Sequence, residues 1–295
     1  MDRKQKKLSY REKMRKKWKS EPPTVVVYYI LRLIVLAVLV RSIWRHDFEG
    51  SFTCLLVLFV FLLPTIIEDK TNIELPSLLE IVIMFHVFAA EILGELACYY
   101  VHYAHWDTLL HTVWGFLCAA LGFSLVSILN RDAKIRFQLS PFYLALTAFC
   151  FSMTVGVLWE FVEFSIDRLF LADMQKDTIV HVISSVALDP TNSNTPVVIQ
   201  GIESAAVNGR ELGLGGYLDI GLYDTMEDLF VNFIGAVVFS VIGYLDAKHP
   251  GRRNLAPKLI PYVREDEDGP EKEDAAENGT ATVYPGGERC RRSEE

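Results

Sequence analysis

The chain has 295 residues, 51% of them hydrophobic, and a formal net charge of −8. The apolar residues concentrate in blocks long enough to cross roughly 30 Å of bilayer hydrocarbon at about 1.5 Å per helical residue, which leaves a soluble helical protein as the minor alternative. The charges are also uneven, because the first twenty residues contain ten Lys or Arg and two acids, whereas the segment from residue 265 is rich in Asp and Glu. A basic segment beside a membrane span is better explained by anionic lipid than by nucleic acid, so we expect no nucleic-acid partner.

The apolar blocks predict an all-α integral membrane protein built as a six-helix transmembrane bundle. In chain order they lie at 25–43, 52–67, 78–100, 108–129, 142–166 and 226–245. Residues 1–24 form a basic cytoplasmic head, 25–245 the transmembrane domain, and 246–295 a tail. The tail is acidic and poor in large apolar residues, a composition typical of disorder.

The distribution of Lys and Arg predicts the orientation of the bundle. Positive residues are enriched in the cytoplasmic segments of membrane proteins. With the N-terminus inside, the inner segments contain most of the Lys and Arg and the outer segments few. We therefore predict a multi-pass protein of a bacterial-type cell membrane with both termini cytoplasmic. Its expected partners are the lipid bilayer and, at the basic head, anionic lipid.

A nearly repeated motif opens the fourth and sixth predicted spans. An aromatic-Asp-Thr sequence is followed by His at 106–111 and by Asp at 223–228. It places Asp107 and His111 one turn apart on one helix face, and Asp224 and Asp228 one turn apart on another. Charge inside hydrocarbon is costly and is usually retained for a function. The alternative is two chance helix N-caps, because Asp and Thr are common helix starters.

Further polar residues lie in the same predicted outer half of the membrane. Spacings of three or four residues put each set on one helix face. The sets are Glu91 with Glu95, Glu160 with Glu163, and Asn232 with the acids of the sixth span. Glu91 and Glu95 have a simpler alternative, which is to cap the outer end of their span near the headgroups.

These residues together predict one acidic pocket shared by four helices. Oxygen ligands with an occasional His suit Mg²⁺ or Mn²⁺. We expect Asp107, His111, Asp224 and Asp228 to hold such a metal. Glu160 and Glu163 would be ligands or general bases and are the candidate catalytic residues. The other expected pocket residues are Glu91, Glu95, Asn232 and Asp219.

A long connection, 167–225, separates the last two spans and is predicted to be an extracytoplasmic insertion. Residues 178–188 have the apolar spacing of an amphipathic helix. Asn208-Gly209 lies between extended segments and is a strong signal for a type I′ β-hairpin. We expect a short helix and a β-hairpin that form a lid over the acidic pocket.

Three sequence segments resemble a known family. They are Trp106-Asp107-Thr108 with His111, the run from Trp159 to Glu163, and 216–236, which reads Gly-Tyr-Leu-Asp-Ile-Gly-Leu-Tyr-Asp-Thr-Met-x-Asp-Leu-x-x-Asn-x-x-Gly-Ala. With these motifs, residues 25–245 resemble the YjdF-like family of uncharacterised bacterial membrane proteins. More distantly, the Asp-x-x-x-His and Asp-x-x-x-Asp-x-x-x-Asn patterns are similar to the VanZ-like family, which is associated with glycopeptide resistance. Glu163 stands where the VanZ pattern usually has an amide, so this likeness implies a shared pocket but not a shared substrate.

Three functions remain open from the sequence. The first is a metal-dependent membrane enzyme acting on a lipid-linked or cell-envelope precursor at the outer leaflet. The second is a cation- or proton-coupled transporter that uses the acidic cluster. The third is a non-catalytic envelope protein whose acids fix the bundle geometry.

Overall fold

The computed structural model describes residues 22–66, 73–131, 139–191, 193–249 and 259–263. Residues 1–21 of the predicted basic head and 264–295 of the predicted tail lie outside the described residues. The helices and strands below belong to the part of the chain before Arg264.

Long apolar helices dominate the described residues. The α-helices are α1 (Pro22–Trp44), α2 (Phe48–Val60), α3 (Ser77–Val87), α4 (Tyr99–His102), α5 (Trp106–Arg131), α6 (Pro141–Phe170) and α7 (Leu222–Lys248). Helix α3 continues as a π-helical segment, Phe88–Leu96. Six helical stretches within the described residues are long and apolar enough to cross a membrane: Pro23–Trp44, Phe48–Ile66, Ser77–Leu96, Trp106–Ile128, Pro141–Phe170 and Leu222–Lys248. Each overlaps a predicted span, so the prediction of a helical polytopic membrane protein is confirmed.

The helices pack around two apolar clusters. The first joins α1, α2 and α3 with the π-helical segment, through Tyr28, Leu31, Val35, Cys54, Val57, Phe61, Met84, Phe88 and Ile92. The second joins α5, α6 and α7, through Ala119, Ala120, Phe123, Leu144, Ala148, Ala236 and Phe239, with Leu259 from the following segment. We call α5, α6 and α7 the three-helix bundle. The outward faces also carry large apolar side chains, such as Leu33, Phe161 and Phe230, as contact with hydrocarbon requires.

Local sequence signals set several helix ends. The Asp47 carboxylate accepts a hydrogen bond from the Gly50 N–H at 2.9 Å and caps α2. The Ser140 hydroxyl accepts one from the Tyr143 N–H at 3.3 Å, and Pro141 takes the first position of α6, where its missing N–H costs nothing. Helix α6 is terminated by the residue that follows it, Leu171, which adopts the left-handed conformation with φ of 55°.

The insertion between α6 and α7 consists of short paired strands. They are β2 (Ile179–Val180), β3 (Val182–Ser185), β4 (Val197–Gln200), β5 (Ala206–Val207), β6 (Arg210–Glu211) and β7 (Tyr217–Leu218), and β1 (Ile73–Glu74) pairs with β8 (Tyr262–Val263) elsewhere in the chain. The antiparallel pairs in the insertion are β2 with β7, β3 with β4, and β5 with β6. A short 3₁₀ turn, Val186–Leu188, follows β3.

The predicted amphipathic helix at 178–188 is wrong. The segment forms β2 and β3, with Val182 opposite Gln200 and Ile179 opposite Leu218. Its residues are mainly β-branched, which favours extended backbone, and its partner strands come from distant parts of the chain. Strand pairing therefore overrides the helical spacing.

The predicted β-hairpin at Asn208-Gly209 is confirmed. Val207 pairs with Arg210 across the turn, and the two turn residues have φ values of 53° and 76°. A type I′ turn requires positive φ at both central positions, which Asn and Gly adopt most easily.

Candidate metal centre

Five polar side chains from the three-helix bundle meet at the end where the insertion joins α6 to α7, called here the insertion end. One group of possible ligands is Asp107, His111 and Asp228, and the other is Glu160, Glu163 and Asp228. In each group the candidate ligand atoms lie within 4.8 Å of one another. Asp228 belongs to both groups, so it is the centre of the site.

Small residues let the three helices approach closely enough to form this site. A Cβ added to Gly115 of α5 would overlap the main-chain oxygen of Asn232 in α7, and one added to Gly235 would overlap the Thr112 oxygen. The buried Ser152 hydroxyl of α6 donates to the Gly115 carbonyl at 2.7 Å. Packing through glycine and serine is typical of membrane helix interfaces. It brings one face of α7 against both neighbours.

His111 lies between two carboxylates from different helices. Its Nε2 is 3.5 Å from Asp107 Oδ1 and 3.7 Å from Asp228 Oδ2. These distances exceed those of good hydrogen bonds. The three side chains therefore face one another without forming good hydrogen bonds between them.

Three buried carboxylate oxygens point into the site without a hydrogen-bond partner. Asp228 Oδ2, Glu160 Oε2 and Glu163 Oε2 have none, although these residues are only 3%, 4% and 7% exposed. The other oxygen of Glu163 accepts from the Trp159 indole N–H at 2.7 Å, which fixes that side chain one helical turn away. A buried charge without a partner is strongly unfavourable. The arrangement requires protons or cations among these oxygens.

Asn232 lies one turn beyond Asp228 and is 1% exposed. Its amide nitrogen is 3.5 Å from Met153 Sδ, and its Oδ1 has no hydrogen-bond partner. Gly156 of α6 makes room for it, because an added Cβ would lie 2.7 Å from Asn232 Nδ2. The Asn232 side chain therefore packs in the interface between α6 and α7, one helical turn from Asp228.

A short segment after α6, residues 174–176, crosses from α6 to α7, and we call it the strap. The Asp167 carboxylate accepts hydrogen bonds from the N–H groups of Met174 at 2.6 Å and Gln175 at 2.9 Å. These two bonds hold the first part of the strap to the end of α6.

The second part of the strap is attached to the first turn of α7. The Lys176 N–H donates to Asp224 Oδ2 at 2.8 Å, and the Gln175 side-chain amide donates to the Thr225 hydroxyl at 2.6 Å. Gln175 is buried against Gly221, whose φ of 85° would disfavour any other residue. The predicted metal ligand Asp224 does not join either candidate ligand group, and its structural role is to anchor the strap.

The remaining predicted pocket residues lie around the site. Asp219 accepts a hydrogen bond from the Tyr223 N–H at 3.0 Å, near the start of α7. Glu91 and Glu95 belong to the π-helical segment and are in neither ligand group. Tyr100 packs over Gly94 between them. Burial raises the pKa of Tyr100, and the carboxylates of Asp107, Glu95 and Glu91 raise it further.

The strap itself lies in an electronegative region. Burial raises the pKa of Asp177, and the neighbouring carboxylates of Asp173, Asp219 and Asp167 add to the shift. Lys176 forms an ion pair with Asp173 at 3.5 Å. This region therefore favours cations over anions.

Several residues of the site carried no clear signal in the sequence. The strap was missed because 48 residues separate Lys176 from Asp224 and 50 separate Gln175 from Thr225. Outside both ligand groups, the hydrogen bond from the Thr108 hydroxyl to the exposed Glu227, at 3.2 Å, also joins residues far apart in the chain. The hydrogen bond between Trp159 and Glu163 could be predicted from the sequence, because an i,i+4 pair on a helix is a recognisable pattern.

The fold and site define a polytopic membrane protein with a buried carboxylate–histidine cluster at one end of a three-helix bundle. Residues 27–249 match the family model described as predicted membrane protein (DUF2238), and the chain belongs to this family. It is also 28% identical over 106 residues to an uncharacterized protein of Thermotoga maritima, in a match that covers 36% of this chain and 53% of that protein. The chain thus spans about half the length of the curated relative it matches. No solved structure matches it.

Proposed function

We propose that this chain is a divalent-cation-dependent membrane enzyme that acts on the phosphate-bearing headgroup of a lipid or cell-envelope precursor. Asp107, His111 and Asp228 would hold Mg²⁺ or Mn²⁺. Glu160 and Glu163 would complete the site as ligands or general bases. The observation that carries the proposal is the set of buried, unpartnered carboxylate oxygens of Asp228, Glu160 and Glu163, together with the His111 imidazole, which lies 3.7 Å from Asp228.

The donor chemistry favours a metal over a directly bound anion. The two ligand groups contain four carboxylates and one imidazole. Such a site would repel a phosphate unless a cation lay between them. Mg²⁺ and Mn²⁺ prefer oxygen ligands, polarise phosphoryl oxygens and supply the positive charge that the acids lack.

An apolar groove supports a lipid as the substrate. It has a volume of about 410 Å³ and runs between α6 and α7. Its lining residues are Phe142, Ala145, Leu146, Phe149, Phe233, Val237, Ser240, Val241 and Tyr244. Phe233 directly follows Asn232, so the groove starts within two helical turns of Asp228. Phe233 is about 7.5 Å from Asp228 along the axis of α7 and on a different face of the helix. An acyl or prenyl chain in the groove would therefore bring its headgroup toward the insertion end, where the acids lie.

The proposed orientation puts the site at the outer leaflet, with both termini cytoplasmic. The insertion between α6 and α7 contains two basic residues, Lys176 and Arg210, whereas the first twenty residues contain ten. This asymmetry supports an external insertion and contact of the basic head with anionic lipid. The acidic centre would then face a lipid-linked substrate at the outer surface.

The family likenesses are consistent with this proposal and add no activity to it. We propose that the chain is a YjdF-like protein within its family. The VanZ-like similarity rests on motifs alone, namely the Asp-x-x-x-His of α5 and the Asp-x-x-x-Asp-x-x-x-Asn of α7. It supports a common arrangement of the pocket, not a common substrate.

A cation- or proton-coupled transporter is the second candidate, and one observation favours it. The π-helical segment Phe88–Leu96 carries Glu91 and Glu95 on the helix next to α5. Departures from α-helical geometry are frequent at functional sites, and acids inside membranes often lie on ion pathways. This candidate predicts cation or proton uptake that requires Glu91.

The test is turnover by the purified full-length chain in nanodiscs. Lipids with phosphate or diphosphate headgroups are incubated with Mg²⁺ or Mn²⁺, and the products are identified by mass spectrometry. We expect metal-dependent turnover that falls by more than about a hundredfold in Asp228→Asn, since metal stabilisation supplies several kcal/mol. The control Glu227→Gln alters the neighbouring exposed acid and should retain activity.

Two other outcomes would contradict the proposal. Cation or proton uptake into liposomes, lost in Glu91→Gln and without lipid turnover, would favour the transporter. Absence of both activities in a protein that binds the metal would favour the third possibility, a non-catalytic envelope protein.

A further inference from the structure

We infer that the site holds two divalent cations bridged by the Asp228 carboxylate. The inference rests on the proposed metal-dependent function and adds the number of ions and the role of each ligand. One ion lies with Asp107 and His111, and the other with Glu160 and Glu163.

The division of the ligands into two groups is the first step. A divalent metal binds oxygen or nitrogen ligands at about 2.0–2.6 Å, so the ligand atoms of one ion lie within roughly 4–5 Å of one another. Each group meets this condition with atoms within 4.8 Å, but the five residues form two groups and not one. The five side chains as they stand therefore fit two ions that share Asp228 better than one ion.

The position of Asp228 makes it the bridge. Asp107 and His111 come from α5, Glu160 and Glu163 come from α6, and α7 packs against both helices. Asp228 is the residue of α7 that belongs to both groups. Its two carboxylate oxygens can each bind one ion, and enzymes with two metals commonly hold them about 3.5–4 Å apart.

The buried charge agrees with two ions. The site contains four carboxylates, Asp107, Asp228, Glu160 and Glu163, together with His111 as a neutral ligand. Two divalent cations carry four positive charges and would balance the four ionised carboxylates, whereas with one ion two of the four acids would have to be protonated. Unbalanced charge is costly at residues with exposures of 3–7%, such as Asp228, Glu160 and Glu163.

The carboxylate oxygens without hydrogen-bond partners are an independent observation, and they indicate that a cation binds in each of the two groups. Glu160 and Glu163 belong to the second group and Asp228 to both, and each of the three has one buried carboxylate oxygen without a hydrogen-bond partner. If the first group alone held an ion, the two glutamate oxygens would remain buried without a partner. A second ion satisfies them.

A pair of cations also identifies the substrate chemistry that fits the proposed function. Two metals stabilise the attacking and leaving oxygens of a phosphoryl group at the same time. The site is thus better suited to a phosphate ester or diphosphate headgroup than to a neutral lipid.

The experiment measures bound Mn²⁺ in the purified full-length chain. The protein is saturated with MnCl₂ in detergent and desalted, its metal content is determined by mass spectrometry, and its EPR spectrum is recorded. We expect two Mn²⁺ per chain with a spectrum broadened by magnetic coupling. The control Glu227→Gln should keep both ions, because this exposed acid is in neither group.

Variants then separate the two positions. His111→Ala and Glu163→Gln should each retain one uncoupled Mn²⁺, whereas Asp228→Asn should lose the coupled signal. Glu160→Gln provides a second change in the same group as Glu163 if that variant fails to give a monodisperse protein. One Mn²⁺ per saturated wild-type chain, or loss of all metal in both His111→Ala and Glu163→Gln, would overturn the inference.

Failure of the metal pair and failure of the proposed function can be distinguished. One Mn²⁺ per chain with lipid turnover would contradict the pair and leave the enzyme proposal intact. Two coupled Mn²⁺ without turnover of any phosphate-bearing lipid would support the pair and contradict the enzyme.

Discussion

Gly235 of α7 lies directly against the Thr112 carbonyl of α5, with no room for a side chain between them. This contact is two helical turns from Asp228 and one residue from the cluster that contains Ala236 and Phe239. It sets the separation of α5 and α7, and so the distance between His111 and Asp228. The geometry of the acidic site therefore depends on a close backbone contact two helical turns farther along α7.

We expect Gly235→Ala to weaken metal binding and to destabilise the bundle by about 1–3 kcal/mol, the usual cost of overpacking. The added methyl group would push α7 away from α5 and separate Asp228 from Asp107 and His111. Val238→Ile adds a methylene on the lipid-facing side of the same helix and should have little effect. Denaturation in detergent and Mn²⁺ content are the measurements, and a Gly235→Ala protein that behaves as wild type would show that the interface adapts.

The sequence was sufficient to predict the transmembrane helices but not the fold of the insertion. Length and hydropathy identify a span because hydrocarbon demands both, and this requirement is local. Residues 178–188 show the limit of this reasoning. Their apolar spacing fits a helix, yet their strand partners lie at 197–200 and 217–218, which no local pattern reveals.

The candidate site, like the fold, could be predicted only in part from the sequence. The positions of Asp107 and His111, or of Glu160 and Glu163, follow from helical spacing within one segment. The different roles of Asp228 and Asp224 do not follow from helical spacing, because they depend on the strap, which is distant in the sequence. Asp224 has the better N-terminal motif position, but the Lys176 N–H occupies one of its oxygens, whereas Asp228 lies one turn deeper between α5 and α6.

The role of Asp224 can be tested by two substitutions. Asp224→Ala removes the acceptor of the Lys176 N–H, and we expect amide exchange in the strap to accelerate by about tenfold to a hundredfold, as loss of a hydrogen bond to a charged group implies. Asp224→Asn retains an oxygen acceptor and should show a smaller increase. Both variants should keep their Mn²⁺, and hydrogen exchange with metal analysis would check this. Loss of metal in Asp224→Asn would instead identify Asp224 as a ligand.

The lid hypothesis predicts an effect of the β-hairpin on activity. Replacing Asn208 and Gly209 with Val should disorder β5 and β6, because β-branched residues strongly disfavour positive φ. The spans should remain inserted, and lipid turnover should change if the hairpin covers the site. Asn208→Gly preserves the turn and is the matched control. Unchanged turnover with a hairpin shown to be open by limited proteolysis would show that the hairpin is not a lid.

The proposed topology predicts how thiols react in intact cells. Ser204→Cys in the insertion should react with an impermeant maleimide, whereas the native Cys290 should react only after the cells are permeabilised. The exposed Cys98 and Cys150 are replaced by Ser in this background to remove competing thiols. The opposite pattern would put the acidic centre at the cytoplasmic surface and exclude an outer-leaflet substrate.

The raised pKa of Asp177 predicts a pH-dependent effect on the insertion. A carboxyl group whose pKa is higher in the folded than in the unfolded state destabilises the folded state when it is ionised. This destabilisation is fully present at a pH above both pKa values. It disappears as the pH falls below the pKa of the unfolded state, about 3.9. Asp177→Asn should therefore raise the apparent unfolding temperature slightly at pH 7, since solvent screens an exposed carboxylate, and the difference should vanish near pH 3.5. Glu203→Gln, at another exposed acid of the insertion, is the control for loss of charge. Melting curves of the detergent-solubilised protein at both pH values test this, and a destabilised Asp177→Asn at pH 7 would show that the carboxylate is needed in its ionised form.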